Sequence, residues 1–221
     1  CSSLNNLDIS NFNTSKVTNM YGMFYWSSFT NLDLSSFDTS NVETMAGMFY
    51  ATSLKSLNVS SFNTSKVTDM TSMFYWNEDL AELDLSNFDT SKVTKMSYMF
   101  AGSSKLLTLN ISNFDFSNVE DVSYMFWWCT GLNNLIVTNM NLYNVVNMDT
   151  MFAYVGNINI SLTLGNKISS YSNAFGYIST SGDGKIIVNY LEGSEELADK
   201  IIATRQERKN VVKGQAVSLT S

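Results

Sequence analysis

The sequence predicts an α/β solenoid that is closed at its C-terminal end by a cap. Three columns of apolar residues repeat in phase through most of the 221-residue chain, at spacings of 25 or 26 residues. A fixed period of this length is typical of supersecondary units that stack and bury their apolar sides against one another. The leucine, valine and methionine columns are Leu7, Leu32, Leu57, Leu83, Leu109, Leu135; Val17, Val42, Val67, Val93, Val119, Val145; and Met23, Met48, Met73, Met99, Met125, Met151.

Within each unit the apolar spacing changes from that of a strand to that of a helix. Residues 7–10 alternate between apolar and polar side chains, which predicts a short strand. Residues 16–25 carry apolar side chains at helical spacing, which predicts a helix or 3₁₀ turn with Ser15 as its N-cap. One strand and one helix per unit define a leucine-rich-repeat coil, with parallel strands on the concave face and short helices on the convex face.

The repeat divides the chain into two regions. Residues 1–177 hold six clear units and one degenerate unit of the solenoid, and residues 178–221 form a C-terminal capping region. In that region residues 186–190 resemble a strand, Ser194 is the expected N-cap of a helix, and residues 211–219 fit one more strand or a linker. The chain begins with a segment that matches the closing loop of a unit, so we expect it to be a fragment of a longer protein.

The units resemble the BspA-like leucine-rich repeats of bacterial and protist surface proteins, which also occur in mycoplasma-type surface lipoproteins. The resemblance is clearest in LDLSSFDTSNV at residues 32–42 and MAGMF at residues 45–49, and it extends over about residues 1–177. It implies a secreted or surface-anchored protein that serves adhesion or interaction, without catalytic residues.

Composition excludes several classes of protein. The chain has no histidine, and its two cysteines, Cys1 and Cys129, occupy the same position of units five coils apart. At about 4.8 Å per coil they would lie roughly 24 Å apart, beyond the ~7 Å Cα limit of a disulfide. Each is expected to fill a small space in the core or a loop. We therefore expect no enzyme activity, no metal site and no cofactor.

The charge distribution bears on the partners. The net charge is −7, and all of it lies in residues 1–177, which hold fourteen acidic and seven basic side chains. An acidic surface repels phosphate backbones, so nucleic acid is not an expected partner. The longest apolar run is far shorter than a membrane span, so direct membrane insertion is not expected either.

Two surfaces are candidate binding sites. The first is an aromatic ridge that follows the Met-Phe pair of units one, three and five, where rings at intervals of about 10 Å would stack on sugars or anchor a protein. The alternative is that each ring covers the small residues of the next coil. The ridge consists of Tyr25, Trp26, Tyr75, Trp76, Trp127 and Trp128.

The second candidate surface is the concave face. Short polar residues are expected to point outward there beside each buried leucine, and their acceptor groups suit polar protein or sugar surfaces. The alternative is a solvated face that merely tolerates close stacking of the coils. The outward residues are Asp8, Asp33, Asn58, Asp84 and Asn110.

These observations predict a non-catalytic extracellular or cell-surface module that mediates adhesion or protein–protein interaction. Its expected partner is a host or cell-surface protein, with a glycan as the alternative. Two other functions stay open from the sequence: a carbohydrate-binding module that uses the aromatic ridge, and a rigid structural spacer.

Overall fold

The backbone winds into a parallel β-solenoid, which confirms the stacked coils that the repeat predicts but not their α/β composition. The computed structural model describes residues 7–177, 183–205 and 210–219, so that Cys1 lies outside the described residues. One residue of each coil forms an isolated parallel bridge with its equivalent in the next coil, which makes a single ladder along the stack. The ladder runs through Asn19, Thr44, Asp69, Lys95, Asp121, Asn147 and Ser170.

Within the described residues, seven strands form two parallel sheets. In the first sheet, β1, β2 and β3 are neighbours in chain order, and their central residues Leu83, Leu109 and Leu135 are in register. In the second sheet the order is β4-β5-β6-β7, again with parallel neighbours. Residues 7–10 and their equivalents in the next two units form no strand. The strands are β1 (Glu82–Asp84), β2 (Thr108–Asn110), β3 (Asn134–Ile136), β4 (Met140–Leu142), β5 (Ile160–Leu164), β6 (Ile186–Leu191) and β7 (Val211–Val217).

The convex helices expected from the sequence are not found, and the structure corrects this prediction. Residues 21–26 are a run of tight turns, as are the equivalent residues of later coils. Alternate backbone N–H groups here donate to carbonyls of the next coil, from Met20, Gly22, Phe24 and Trp26 to Thr44, Ala46, Met48 and Tyr50. In an α-helix these groups would donate to carbonyls four residues earlier in the same segment. The bonds between coils therefore replace the helix.

The backbone angles of the turns show the same departure from a helix. Two residues of the first coil, four positions apart, have positive φ: Gly22 at 59° and Trp26 at 53°. The same two positions have positive φ in the later coils, as in Ser72 and Trp76. A right-handed helix has negative φ at every residue, so these segments cannot be helical.

The core is built from the repeated columns. The phenylalanine that follows each methionine forms a continuous ladder in which successive ring centroids are 5.3 to 5.8 Å apart. The methionines beside it are buried, except for Met23 in the first coil. The ladder consists of Phe24, Phe49, Phe74, Phe100, Phe126, Phe152 and Phe175.

The strand and helix after the degenerate unit lie where the sequence predicts them. Helix α1 (Glu195–Ile202) begins after Ser194, and its buried side is formed by Ala198, Ile201 and Ile202. Strand β6 pairs with β5 of the solenoid, so the second sheet continues past residue 177. Residues 211–217 form the further strand β7 rather than a linker.

Candidate interaction surfaces

The strand face, which is the face formed by β1–β3 and by the equivalent residues of the first three coils, carries the first row of candidate residues. Strand β1 alternates in the predicted sense, because Leu83 is buried and Asp84 is exposed. Asp8, Asp33 and Asn58 are exposed at the equivalent positions of earlier coils, and Asn110 is half-buried. The structure therefore places all five polar residues predicted for this face in one outward row.

These outward residues also have a structural role that the sequence reasoning missed. A side-chain oxygen of each accepts a hydrogen bond from the backbone N–H two residues later, which closes an Asx turn after the strand position. The donor is a serine in every case, at 2.9 to 3.1 Å. The signal in the sequence was the repeated [DN]-x-S spacing. The pairs are Asp8–Ser10, Asp33–Ser35, Asn58–Ser60, Asp84–Ser86 and Asn110–Ser112.

Hydrogen bonding keeps the carboxyl groups of this row ionised. The hydroxyl and N–H of Ser10 lower the pKa of Asp8, and those of Ser35 lower the pKa of Asp33. The pKa of Asp84 is lowered in the same way, with a further contribution from the Asn110 side chain of the next coil. At neutral pH the row therefore carries negative charges at Asp8, Asp33 and Asp84, while Asn58 and Asn110 are neutral.

A shallow groove crosses the strand face of the first coils. It has a volume of about 660 Å³, and its walls combine leucine side chains with carboxylate, amide and hydroxyl groups. Five of its seven lining residues are polar, so the groove offers both hydrogen-bond acceptors and donors to a partner, with Asp8 and Asp33 as its charged groups. The lining residues are Leu7, Asp8, Asn31, Leu32, Asp33, Ser56 and Asn58.

The second row of candidate residues forms an aromatic stripe that runs through neighbouring coils. It contains all six residues of the predicted ridge and five tyrosines that sequence reasoning did not include. Tyr50 lies 4.5 Å from Tyr25 and 4.6 Å from Tyr75, measured between ring centroids, so the intervening coil leaves no gap. The stripe consists of Tyr25, Trp26, Tyr50, Tyr75, Trp76, Tyr98, Tyr124, Trp127, Trp128, Tyr154 and Tyr177.

Three of the four tryptophans of the stripe are exposed, in the first, third and fifth coils. Trp26 is 66% exposed, Trp76 38% and Trp128 41%. The Trp76 ring also lies directly over Gly102 of the next coil, where a methyl group would overlap it. Trp76 thus covers a small residue of its neighbour, as the alternative interpretation of the ridge expects, while part of its ring stays in contact with solvent.

The tyrosine rings present their edges and hydroxyl groups, because their faces stack on one another. The Tyr50 ring lies between the rings of Tyr25 and Tyr75. Burial, followed by the effect of these two neighbours, raises the pKa of Tyr50 to about 12. Tyr98 and Tyr124 stack at 4.4 Å, and burial is the main cause that raises the pKa of Tyr98.

Cys129 lies in the core beside the stripe. Its side chain is fully buried, and its thiol donates a hydrogen bond to the carbonyl of Phe100 at 3.1 Å. Burial raises the pKa of the thiol to about 12. The equivalent positions of neighbouring coils hold Asn77 and Ser103, which are also buried and bond to carbonyls of the preceding coil. Cys129 is a small core residue, as predicted.

Two further properties concern metals and membranes. Within residues 7–177, 183–205 and 210–219, no three Cys, Asp or Glu side chains converge in a way that would hold a metal ion. In the same part of the chain, no helix is long and apolar enough to cross a membrane.

Together, the stacked coils and the two rows of side chains define a repeat-built solenoid protein. Residues 1–75 and 51–164 each match the family described as "Mycoplasma protein of unknown function, DUF285". These stretches cover most of the chain, which therefore belongs to this family. The match supports the relationship to mycoplasma-type surface repeat proteins that the repeat motif predicts. No curated protein and no solved structure matches the chain.

Proposed function

We propose that this chain is a non-catalytic interaction module of a BspA-like, leucine-rich-repeat type of surface protein, and that it acts outside the cell in adhesion. The observation that carries the proposal is the regular outward row of polar residues on the strand face. Such a row repeats one chemical group at each coil over a long surface, which suits a protein partner better than a small substrate.

The strand face favours a partner with basic groups. The pKa of Asp8 and that of Asp33 are both lowered, and both carboxyl groups line the groove of the first coils. Each uses one oxygen, Oδ1, to accept the hydrogen bond of its Asx turn. A basic partner gains charge-assisted hydrogen bonds from the remaining acceptor capacity, and it associates faster through long-range attraction.

Carbohydrate binding by the aromatic stripe is the second candidate function. The exposure of Trp26, Trp76 and Trp128 at alternate coils supports it, because exposed indole rings are suited to stacking on sugar rings. The stacked tyrosines support it less, since neighbouring rings cover their faces. A rigid spacer is the third candidate.

The absence of catalysis is part of the proposal. The chain lacks histidine, and the Cys129 thiol is buried and has a raised pKa. A buried neutral thiol without a neighbouring base is a poor nucleophile.

The test is binding of the purified chain to an array of extracellular proteins and to an array of glycans, at low and at high salt. Asp33→Ala should weaken a complex with a basic protein, and high salt should weaken the parent complex. Asp33→Asn is the matched control, because it removes the charge and keeps the acceptor of the Asx turn. Circular dichroism monitors folding.

Trp76→Ala addresses the aromatic stripe in the same assays. If the ring is central to a contact, the change should weaken binding by at least ~2 kcal/mol, whereas Trp76→Phe should retain most of the affinity. Loss of binding on the glycan array alone would favour the carbohydrate function. Absence of binding on both arrays would contradict an interaction module and leave the spacer.

The cellular location needs a separate experiment. In cells that produce the protein, an antibody against the solenoid should label intact cells, and external protease should remove the signal. Labelling that appears only after permeabilisation would contradict an extracellular role.

A further inference from the structure

We propose that the stacked tyrosines of the aromatic stripe are a site of oxidative cross-linking, at which a one-electron oxidant joins tyrosines of successive coils as dityrosine. The proposal is independent of the proposed function, because it concerns a modification within the chain. It rests on the geometry of the tyrosine pairs and on their contact with solvent.

The first group of pairs lies at the N-terminal end of the stripe. Ring centroids are 4.5 Å apart between Tyr25 and Tyr50 and 4.6 Å between Tyr50 and Tyr75, with interplanar angles of 25° and 28°. Rings at these distances and angles are in face-to-face contact, which brings the reactive ring carbons of the two residues within reach of each other.

Two further pairs have the same arrangement. Tyr98 and Tyr124 stack at 4.4 Å with an interplanar angle of 4°. Tyr154 and Tyr177 stack at 4.7 Å with an angle of 10°. Each pair joins residues of adjacent coils. Backbone hydrogen bonds between those coils hold the two residues at this spacing.

The stripe is open to an oxidant in solution. Tyr25 is 53% exposed and Tyr177 is 43% exposed, so each end of the stripe offers a phenol to solvent. The Trp76 ring lies 5.6 Å from Tyr75 and 6.5 Å from Trp127, which links the groups of tyrosines through aromatic contacts.

The reaction balances with two equivalents of a one-electron oxidant, such as a photochemically generated ruthenium(III) complex. Each phenol gives one electron to the oxidant and one proton to water, and becomes a neutral phenoxyl radical. The two radicals form one carbon–carbon bond between their ortho carbons. The hydrogens on those carbons then move to the two oxygens, which restores both aromatic rings. In total the pair loses two electrons and two protons.

Contact within the fold favours this product over coupling between chains. Two stacked radicals are already within van der Waals distance, whereas radicals on separate chains must meet by diffusion. Tyr143 and Tyr190 provide an internal comparison, because no aromatic pair among the described residues joins either to another tyrosine ring.

The experiment exposes the purified, folded chain at low concentration to visible light with ruthenium tris-bipyridine and persulfate. We expect dityrosine fluorescence in protein that remains monomeric on a denaturing gel, and a mass lower by two hydrogens per cross-link. Trypsin cleaves after lysine and arginine, so a Tyr50–Tyr75 bond should join peptide 17–55 to peptide 67–92. A Tyr98–Tyr124 bond should join peptide 96–105 to peptide 106–167.

Three variants make the test specific. Tyr50→Phe keeps the stack but removes the shared phenol, and should abolish the 17–55 to 67–92 product while leaving the Tyr98–Tyr124 product unchanged. Tyr124→Phe should have the converse effect, and Tyr143→Phe should leave both unchanged. Circular dichroism confirms folding of each variant. The proposal is overturned if dityrosine forms only between chains, or if Tyr50→Phe leaves the 17–55 to 67–92 product at the parent yield.

Discussion

Short polar side chains close the turns of this solenoid. Beyond the row on the strand face, a second row of Asx turns precedes the tight-turn segment, in which Asn13, Asp38 and Asn63 accept the N–H of the serine two residues later. Either Asn or Asp occupies these positions, and the hydrogen bond has the same geometry with both. The turn requires only the acceptor oxygen of the side chain and does not need its negative charge.

The acidic members of these rows should make stability depend on pH. The pKa of Asp33, that of Asp38 and that of Asp89 are all lowered from 3.8, mainly by bonds from the serines that follow. A carboxyl whose pKa is lowered by folding stabilises the fold above its unfolded pKa, and this stabilisation is lost as the pH falls through the folded pKa. We expect the urea midpoint of the parent to decrease between about pH 5 and about pH 3.

The matched variant carries Asp33→Asn, Asp38→Asn and Asp89→Asn together. Asn58 and Asn63 occupy equivalent positions of the neighbouring coil and accept the same bonds, so the variant should fold normally at neutral pH. Its urea midpoint should decrease less over the same acidic range. An equal decrease in parent and variant would show that other groups cause the acid sensitivity.

Substitution of Gly102 tests whether the Trp76 ring limits the space available at that position. Gly102 has a φ of 76°, and a methyl group there would overlap the Trp76 ring, whereas Gly47 has a φ of 62° and only a distant neighbour. Gly47→Ala should cost about 1 kcal/mol from backbone strain alone, and Gly102→Ala should cost more. Urea unfolding in the Trp76→Ala background should remove the difference. If it persists, the ring is not what confines Gly102.

At the scale of the element, the sequence correctly predicts which columns of residues are buried. It does not predict the backbone conformation of the segments that carry them. Val42, Met45, Met48 and Phe49 are all buried, as their helical spacing predicts. A run of tight turns brings the same positions inward, so periodicity does not separate the two structures. The deciding bonds form between coils that are 25 residues apart, and the left-handed positions hold Ser72 and several tyrosines as well as glycine.

The candidate surfaces were predictable to a similar extent. The outward row on the strand face follows from alternation beside a leucine column, and the structure reproduces it, although Leu7 in the first coil is itself exposed. Tyr98 and Tyr124 are missing from the predicted ridge because they come from a different repeat position than Tyr75, and they reach the stripe through the turn geometry. The other three tyrosines, Tyr50, Tyr154 and Tyr177, occupy the same repeat positions as ridge residues, but they lie in units that the predicted ridge skips.

Buried threonines link successive coils at the start of the tight-turn segment. The Thr64 hydroxyl donates to the carbonyl of Asp89 at 2.9 Å and accepts the Asp89 N–H at 2.8 Å, and Thr64 is only 1% exposed. Thr64→Val keeps the shape but leaves both backbone groups unpaired, so it should lower the free energy of unfolding by about 1–3 kcal/mol. Thr68→Val, at an exposed position, should change it by less than about 0.5 kcal/mol. Equal effects in urea unfolding would contradict a linking role for Thr64.

Across the whole molecule, each coil is held by its two neighbours, so the last coil depends on what covers it. The N–H of each ladder phenylalanine donates to the next coil, as Phe152 does to the carbonyl of Ala174 at 2.9 Å. Phe175 lies in the last coil of the ladder, and its N–H donates to the Thr204 hydroxyl at 3.1 Å. That hydroxyl in turn donates to the carbonyl of Ile201 in α1 at 2.7 Å. Thr204 therefore joins the helix to the end of the ladder.

Thr204→Val should weaken this end of the solenoid locally. The variant removes the acceptor of the Phe175 N–H, which should reduce the stability of the last coils by about 1–3 kcal/mol. A repeat array is stabilised mainly by contacts between neighbouring coils. Amide hydrogen exchange should therefore accelerate at Phe175, whereas the amide of Phe74 in a central coil should stay as protected as in the parent. Thr204→Ser keeps the hydroxyl and should preserve both rates. Equal loss of protection at Phe175 and Phe74 would mean that the solenoid opens as one cooperative unit, in which the contact at Thr204 supports every coil alike.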